Sequence, residues 1–212
     1  WIRSIPSTVT SFKLRSVTFN IDNVISGDSD PFVQISAAGA VATTQRLLPE
    51  EYRQHEWASR IARLPPASAH ICLYLGFKGD IRKAGATGAN KWFYNTWDNE
   101  FDDWSVAPNK PLKDSPCLYC SFPSLKDPTH DPGPNELHTG EVVTFVPWDI
   151  FEPWRDTPWK KRGADYDQFK EQLTQKVLGQ FLEKMPDLKD MIDYVELSTP
   201  LSTAHFCRPI SG

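Results

Sequence analysis

The chain has 212 residues, of which 40% are hydrophobic, 24% charged and 12% aromatic. This is a globular composition of about one-domain size. A formal net charge of -4 argues against a nucleic-acid binder, which normally shows a basic patch or stripe, and no run of about 18 apolar residues is present to span a bilayer.

The opening stretch WIRSIPSTVT has neither a signal-peptide core nor an initiator Met, so the natural N-terminus is expected upstream. Residues 9–19 alternate loosely and predict a strand with Phe12, Leu14 and Val17 inward. A turn-rich connection through Asn23, Gly27, Asp28 and Pro31 follows. FVQISAAGA (32–40) reads as a short strand closing on Ala37-Ala38-Gly39-Ala40. Small residues there permit close approach of another backbone or of a ligand; a plain, tight strand-to-helix turn would look the same. Pro49, Glu50 and Glu51 open a helix that is expected to run to about Leu64, with Tyr52, Trp57, Ile61 and Leu64 on one face.

Strands are then predicted at 69–77, at 91–97 (KWFYNTW, dense in aromatics) and at 117–122. The acidic stretch 98–103 lacks the turn-forming Gly and spaced ligands of a calcium loop and reads as solvated. Residues 123–138, rich in Pro and Gly, predict a long irregular loop. Val142, Val143, Phe145 and Val146 form a buried strand over 141–147. Trp148, Ile150, Phe151 and Trp154 follow it, so much apolar surface that it needs a sheet to pack on or a greasy ligand to enclose. Asp165, with Gln168 three residues on, is expected to cap the best helix, whose apolar face carries Tyr166, Phe169, Leu173, Val177, Phe181 and Leu182. A last strand is predicted at 191–198. The fold class is therefore α+β, a mostly antiparallel sheet with helices on one face.

No GxSxG, HExxH, GxxxxGK[ST] or GxGxxG motif is present. Cys117 and Cys120 form a lone CxxC inside a strand, without a second pair to complete a metal site; these cysteines are expected in the core, and no metal is expected. Free cysteines fit a reducing, intracellular setting. The five histidines are scattered, with His130 and His138 flanking the long loop.

Five stretches, in order, resemble the phytoene desaturase, carotenoid isomerase and retinol saturase branch of the amine-oxidase-like flavoproteins. They are ISAAGAVATTQRLLP (35–49), PPASAHICLYLGFKGD (65–80), FPSLKDPTHDPGP (122–134), VVTFVPWDIFEPW (142–154) with Arg162-Gly163 and Tyr166, and ELSTPLSTAHF (196–206). The loop FPSLKDP is closest to the retinol saturase members.

This resemblance implies FAD as cofactor, with Ala38, Gly39 and Ala40 near the dinucleotide and Thr199 and Pro200 near the isoalloxazine. It implies a hydrophobic polyene, a carotenoid or retinoid, as substrate, lined by Trp92, Phe145, Trp148, Phe151, Leu201 and Phe206. The chain is expected to be the central part of such an enzyme. Residues 1–48 would be flavin-domain-like, 49–200 would bind substrate, and 201–212 would lead back to a flavin domain whose GxGxxG unit lies outside the chain. Flavin binding by this chain alone is not expected. Its other partners would be those flavin-binding segments and, peripherally, a membrane. The rival reading is a non-catalytic module that holds a hydrophobic ligand, or an inactive truncated product.

Overall fold

A computed structural model describes residues 36–64, 68–97, 104 and 106–207. The expected strand at 9–19, the start of the one at 32–40 and the acidic stretch 98–103 lie outside the described residues. The chain forms two compact units, Trp1–Pro65 and Pro66–Gly212.

In the first unit, Ser36 to Gly39 are irregular and exposed, and no strand reaches Ala40. Gly39 has φ +89, a conformation glycine adopts without a Cβ penalty, and it starts α1 (Ala40–Ala42). The chain continues into a π turn, Thr43–Leu47. The helix expected from Pro49 to Leu64 is two short pieces, α2 (Glu50–Arg53) and α3 (Glu56–Ala62), because His55 is extended and starts the second. Arg53 holds the preceding turn together, donating from Nε to the Leu48 carbonyl at 2.6 Å and from Nη2 to that of Arg46 at 2.9 Å.

The second unit is a five-stranded antiparallel sheet in the order β2-β3-β4-β1-β5. The strands are β1 (Ala69–Lys78), β2 (Lys91–Tyr94), β3 (Cys117–Ser121), β4 (Leu137–Val146) and β5 (Ile192–Ser198). β4 starts earlier than its apolar run suggests, since all ten residues of β1 pair with it, from Ala69 opposite Val146 to Lys78 opposite Leu137. Gly140 allows this. A Cβ there would lie 2.8 Å from the Phe77 ring and 3.3 Å from that of Phe122.

Period-two alternation divides the sheet into two faces. Ala69, Ile71, Leu73, Leu75 and Phe77 of β1 point with Val142 and Val146 of β4 and Leu197 of β5 into the core. The long helix α4 (Ala164–Lys184) covers this face with Phe169, Leu173, Val177 and Phe181. Gln180 fixes the docking. It accepts from the Ser115 N–H at 2.9 Å and donates to the Ser115 carbonyl at 2.8 Å, and the Ser115 hydroxyl bonds Thr144 on the same face of β4. The observed class is thus α+β, antiparallel with helices, as the pattern of elements predicts.

Asp165 does not cap α4. Gly163 precedes it at φ +100, and the Asp165 carboxylate instead accepts from the Trp154 indole at 3.1 Å. The chain then runs from β5 through Thr199 into α5 (Pro200–Cys207). Among the described residues no helix is long and apolar enough to cross a membrane.

Candidate functional site

The second face of the sheet carries an ordered set of side chains that the core does not use. Cross-strand register places Trp92, Tyr119, Val143, Cys72 and Ser198 in one line across all five strands. Tyr94, Phe145 and His70 lie on the same face beyond that line. Trp92 is 50% exposed, Tyr94 46% and Phe145 38%. The rings are organised against one another: Trp92 stacks on Tyr94 at 6.1 Å and meets Tyr119 edge-on at 4.9 Å. Exposed aromatic surface of this extent marks a binding surface more often than a solvated one.

On the other side of this apolar band runs a polar line, Ser121, Glu141, Tyr74 and Glu196, again in direct cross-strand register. Lys126 closes one end, donating to Ser121 Oγ at 2.6 Å and to Asn90. At the other end the Tyr194 hydroxyl donates to Glu196. Burial, then the neighbouring Cys72, Glu141 and Glu196, pushes the Tyr74 phenol up to about 12. It is therefore a hydrogen-bond donor at any physiological pH. Burial likewise pushes the Cys72 thiol up to about 11, opposed by a hydrogen bond from Tyr74.

A second feature is the corner joining the Trp148–Trp154 turns, the start of α4 and the start of α5. Arg162 is buried without a carboxylate among its hydrogen-bond partners. Its Nη1 donates to the carbonyls of Trp154 and Thr157, each at 3.0 Å, and to Thr157 Oγ1 at 3.1 Å, and its Nη2 to the Leu201 carbonyl at 3.4 Å. Tyr166 lies under the guanidinium and bonds Thr199 Oγ1 at 2.7 Å. The residues quoted above as Trp154, Arg162-Gly163, Tyr166 and Thr199-Pro200 are thus one hydrogen-bonded corner that sets where α5 begins.

The expected site residues are distributed as follows. Trp92 and Phe145 meet on the second sheet face. Phe151 and Leu201 are in the core, Phe151 at 5.8 Å from the Phe169 ring, and Trp148 is half-buried against that core. Phe206 is exposed on α5 and packs with Trp159 at 5.2 Å and His205 at 4.8 Å. Thr199 and Pro200 are buried at the corner, with the Thr199 hydroxyl committed to Tyr166. Ala38, Gly39 and Ala40 are exposed in the first unit, and nothing lies within 4 Å of a Cβ built on Gly39. The open backbone at Gly39 can be approached closely, whereas Thr199 and Pro200 are buried and shape the corner, with the Thr199 hydroxyl bonded to Tyr166.

Two other sequence features resolve into structural roles. Cys117 and Cys120 are buried on opposite faces of β3, Cys120 on the core face, and burial pushes the Cys120 thiol up to about 12. His138 is buried in β4 beside Ser124, whose hydroxyl lies 3.2 Å from Nδ1, and its ring is 5.6 Å from that of His130. No group of side chains suited to a metal ion occurs among the described residues. The members of the polar line, Tyr74, Glu141 and Glu196, escaped sequence analysis. Their only signal is a polar side chain at an outward position in each of β1, β4 and β5.

No protein-family model matches the chain. It is similar to proteins named all-trans-retinol 13,14-reductase, with 29% identity to that of Danio rerio over 90% of this chain and 26% to that of Rattus norvegicus over 85%. A Danio rerio protein named inactive all-trans-retinol 13,14-reductase is 26% identical over 84% of the chain. These similarities support a retinol saturase-like family. The chain spans about a third of the length of these relatives, 33% of the first.

Proposed function

We propose that this chain carries the polyene-binding part of an FAD-dependent reductase that saturates a carbon–carbon double bond of a retinoid. The observation that carries the reading is the aromatic second face of the sheet, an apolar band bordered by a polar line. The names of the relatives and the five sequence stretches support it, and a binding module without catalysis is not favoured by either. The proposal keeps residues 1–48 on the flavin side and 49–200 on the substrate side.

Saturating the bond requires a hydride on one carbon and a proton on the other. A flavin, when bound, would supply the hydride. The chain's own residues would hold the polyene. Five strands at about 4.8 Å spacing make the band about 19 Å wide, so an extended polyene can lie across them with Trp92, Tyr119, Val143 and Phe145 against it. Such packing removes water from the conjugated chain. Trp148, Phe151, Leu201 and the Arg162 corner would support this face from the core side.

The test is a titration of the chain with all-trans-retinol, following energy transfer from tryptophan to the ligand. Saturable binding that weakens at least tenfold in Trp92→Ala supports the reading. No saturable transfer would refute it.

A further inference from the structure

Resting on that reading, we infer that the cross-strand pair Tyr74 and Glu141, with Glu196 beside it, is the site that recognises the hydroxyl end group of the polyene and sets preference for an alcohol over an acid. An alcohol both donates and accepts one hydrogen bond. Opposed cross-strand side chains have Cβ atoms about 5 Å apart, and Tyr74 stands opposite Glu141 in the register of β1 and β4. Tyr74, whose hydroxyl also bonds the Cys72 thiol, would turn its donor from that thiol to the ligand, and Glu141 offers the acceptor. Among the described residues no hydrogen-bond donor is committed to the Glu141 carboxylate, whereas Glu196 on the other flank is bonded by Tyr194.

The position of the pair fits an end group. The polar line borders the apolar band directly, since Cys72 and Val143 of the band lie two residues from Tyr74 and Glu141 on the same strands. A polyene lying across Tyr119 and Val143 would run alongside this line, and its hydroxyl end, on reaching Cys72, would lie next to Tyr74 and Glu141. The charge balance is selective as well. Two carboxylates flank Tyr74, and Lys126, which closes the far end of the line, is engaged by Ser121 and Asn90. A carboxylate end group would be repelled at Glu141 and would lack the proton that Glu141 needs. Retinyl acetate would also leave Glu141 without its donor. Sites built to hydrogen-bond a hydroxyl reject analogues without one strongly.

The activity in the relatives' names concerns the 13,14 bond of retinol, the double bond next to the hydroxyl-bearing carbon. Holding the hydroxyl at Tyr74 and Glu141 would fix that bond at the border of the apolar band. The pair is assigned here to positioning and specificity.

The experiment measures dissociation constants of all-trans-retinol, retinyl acetate and all-trans-retinoic acid on the full chain by tryptophan energy transfer. It compares the natural protein with Glu141→Gln, Tyr74→Phe and, as a second probe of the same line, Glu196→Gln. Circular dichroism checks that each variant is folded. Retinol is expected to bind at least tenfold more tightly than retinoic acid. Glu141→Gln should cut that ratio at least fivefold by admitting the acid, and Tyr74→Phe should weaken retinol by removing the donor to its oxygen. Equal binding of alcohol and acid, or a ratio unchanged in both Glu141→Gln and Tyr74→Phe, would overturn the inference and leave the polyene-binding reading standing. If none of the three ligands binds the natural protein, both fall.

Discussion

Arg162 offers a sharp test of how the corner is held. Its guanidinium serves the carbonyls of Trp154, Thr157 and Leu201 from two nitrogens. Replacing it with Met keeps much of the stem and strips these carbonyls of their donor. Each buried acceptor left unsatisfied costs about 1–3 kcal/mol. Removing a buried cation that has no carboxylate partner returns part of this, so a net loss of about 3 kcal/mol is expected for Arg162→Met. Lys is a different substitution. An ammonium can replace Nη1 among Trp154 and Thr157 but cannot fork to Leu201 as well, and about 1 kcal/mol should be lost. Urea unfolding of the chain, followed by tryptophan emission, reads both. With a slope of about 2 kcal/mol per molar, the midpoints should fall by about 1.5 M for Met and about 0.5 M for Lys. A Met variant within about 0.3 M of the natural protein, or a Lys variant less stable than Met, would refute this account of the corner.

Other expectations follow from single contacts. Gly140→Ala would drive a methyl into the rings of Phe77 and Phe122 and should destabilise by about 1–3 kcal/mol, measured by the same unfolding. Leu173→Ala removes a fully buried contact between α4 and the sheet, with an expected loss of about 2–5 kcal/mol. Burial, with the charges of His130 and Arg82, holds the His138 imidazole below its ordinary 6.5. The unfolded chain then binds a proton that the folded one does not, so stability is complete above that value and falls as pH drops below it; His138→Phe should flatten this slope in urea midpoints taken between pH 7 and pH 5. Of the described cysteines, exposed Cys207 should alkylate first, while Cys72, Cys117 and Cys120 react only on unfolding, as mass spectrometry of timed labelling would show.

The elements with one dominant period were legible from the sequence. β1 and β3 are apolar runs, β5 carries Ile192, Val195 and Leu197 in a short polar-apolar stretch, and α4 repeats Tyr166, Phe169, Leu173, Val177 and Phe181 at helical spacing. β4 was only half legible, because Leu137-His138-Thr139-Gly140 becomes strand through ten pairings with β1 and not through its own propensity. The break between α2 and α3 falls at Gln54 and His55, where neither Gly nor Pro gives a signal. Trp92 and Phe145 stood out by size and do reach the second face. Phe151 and Leu201 look similar in sequence, yet lie in the core, since apolarity alone does not say which face a residue meets. The polar line was hidden for a different reason. Tyr74, Glu141 and Glu196 come from three strands separated by tens of residues, and only the register brings them side by side.

The most direct measurement for the central claim is photolabelling of the chain with a diazirine-bearing retinol, followed by peptide mapping. The account predicts labels on the second face of the sheet, at Trp92, Tyr119, Val143 and Phe145, competed away by unlabelled retinol. Competed labels confined to α4, or spread over the chain without competition, would contradict it.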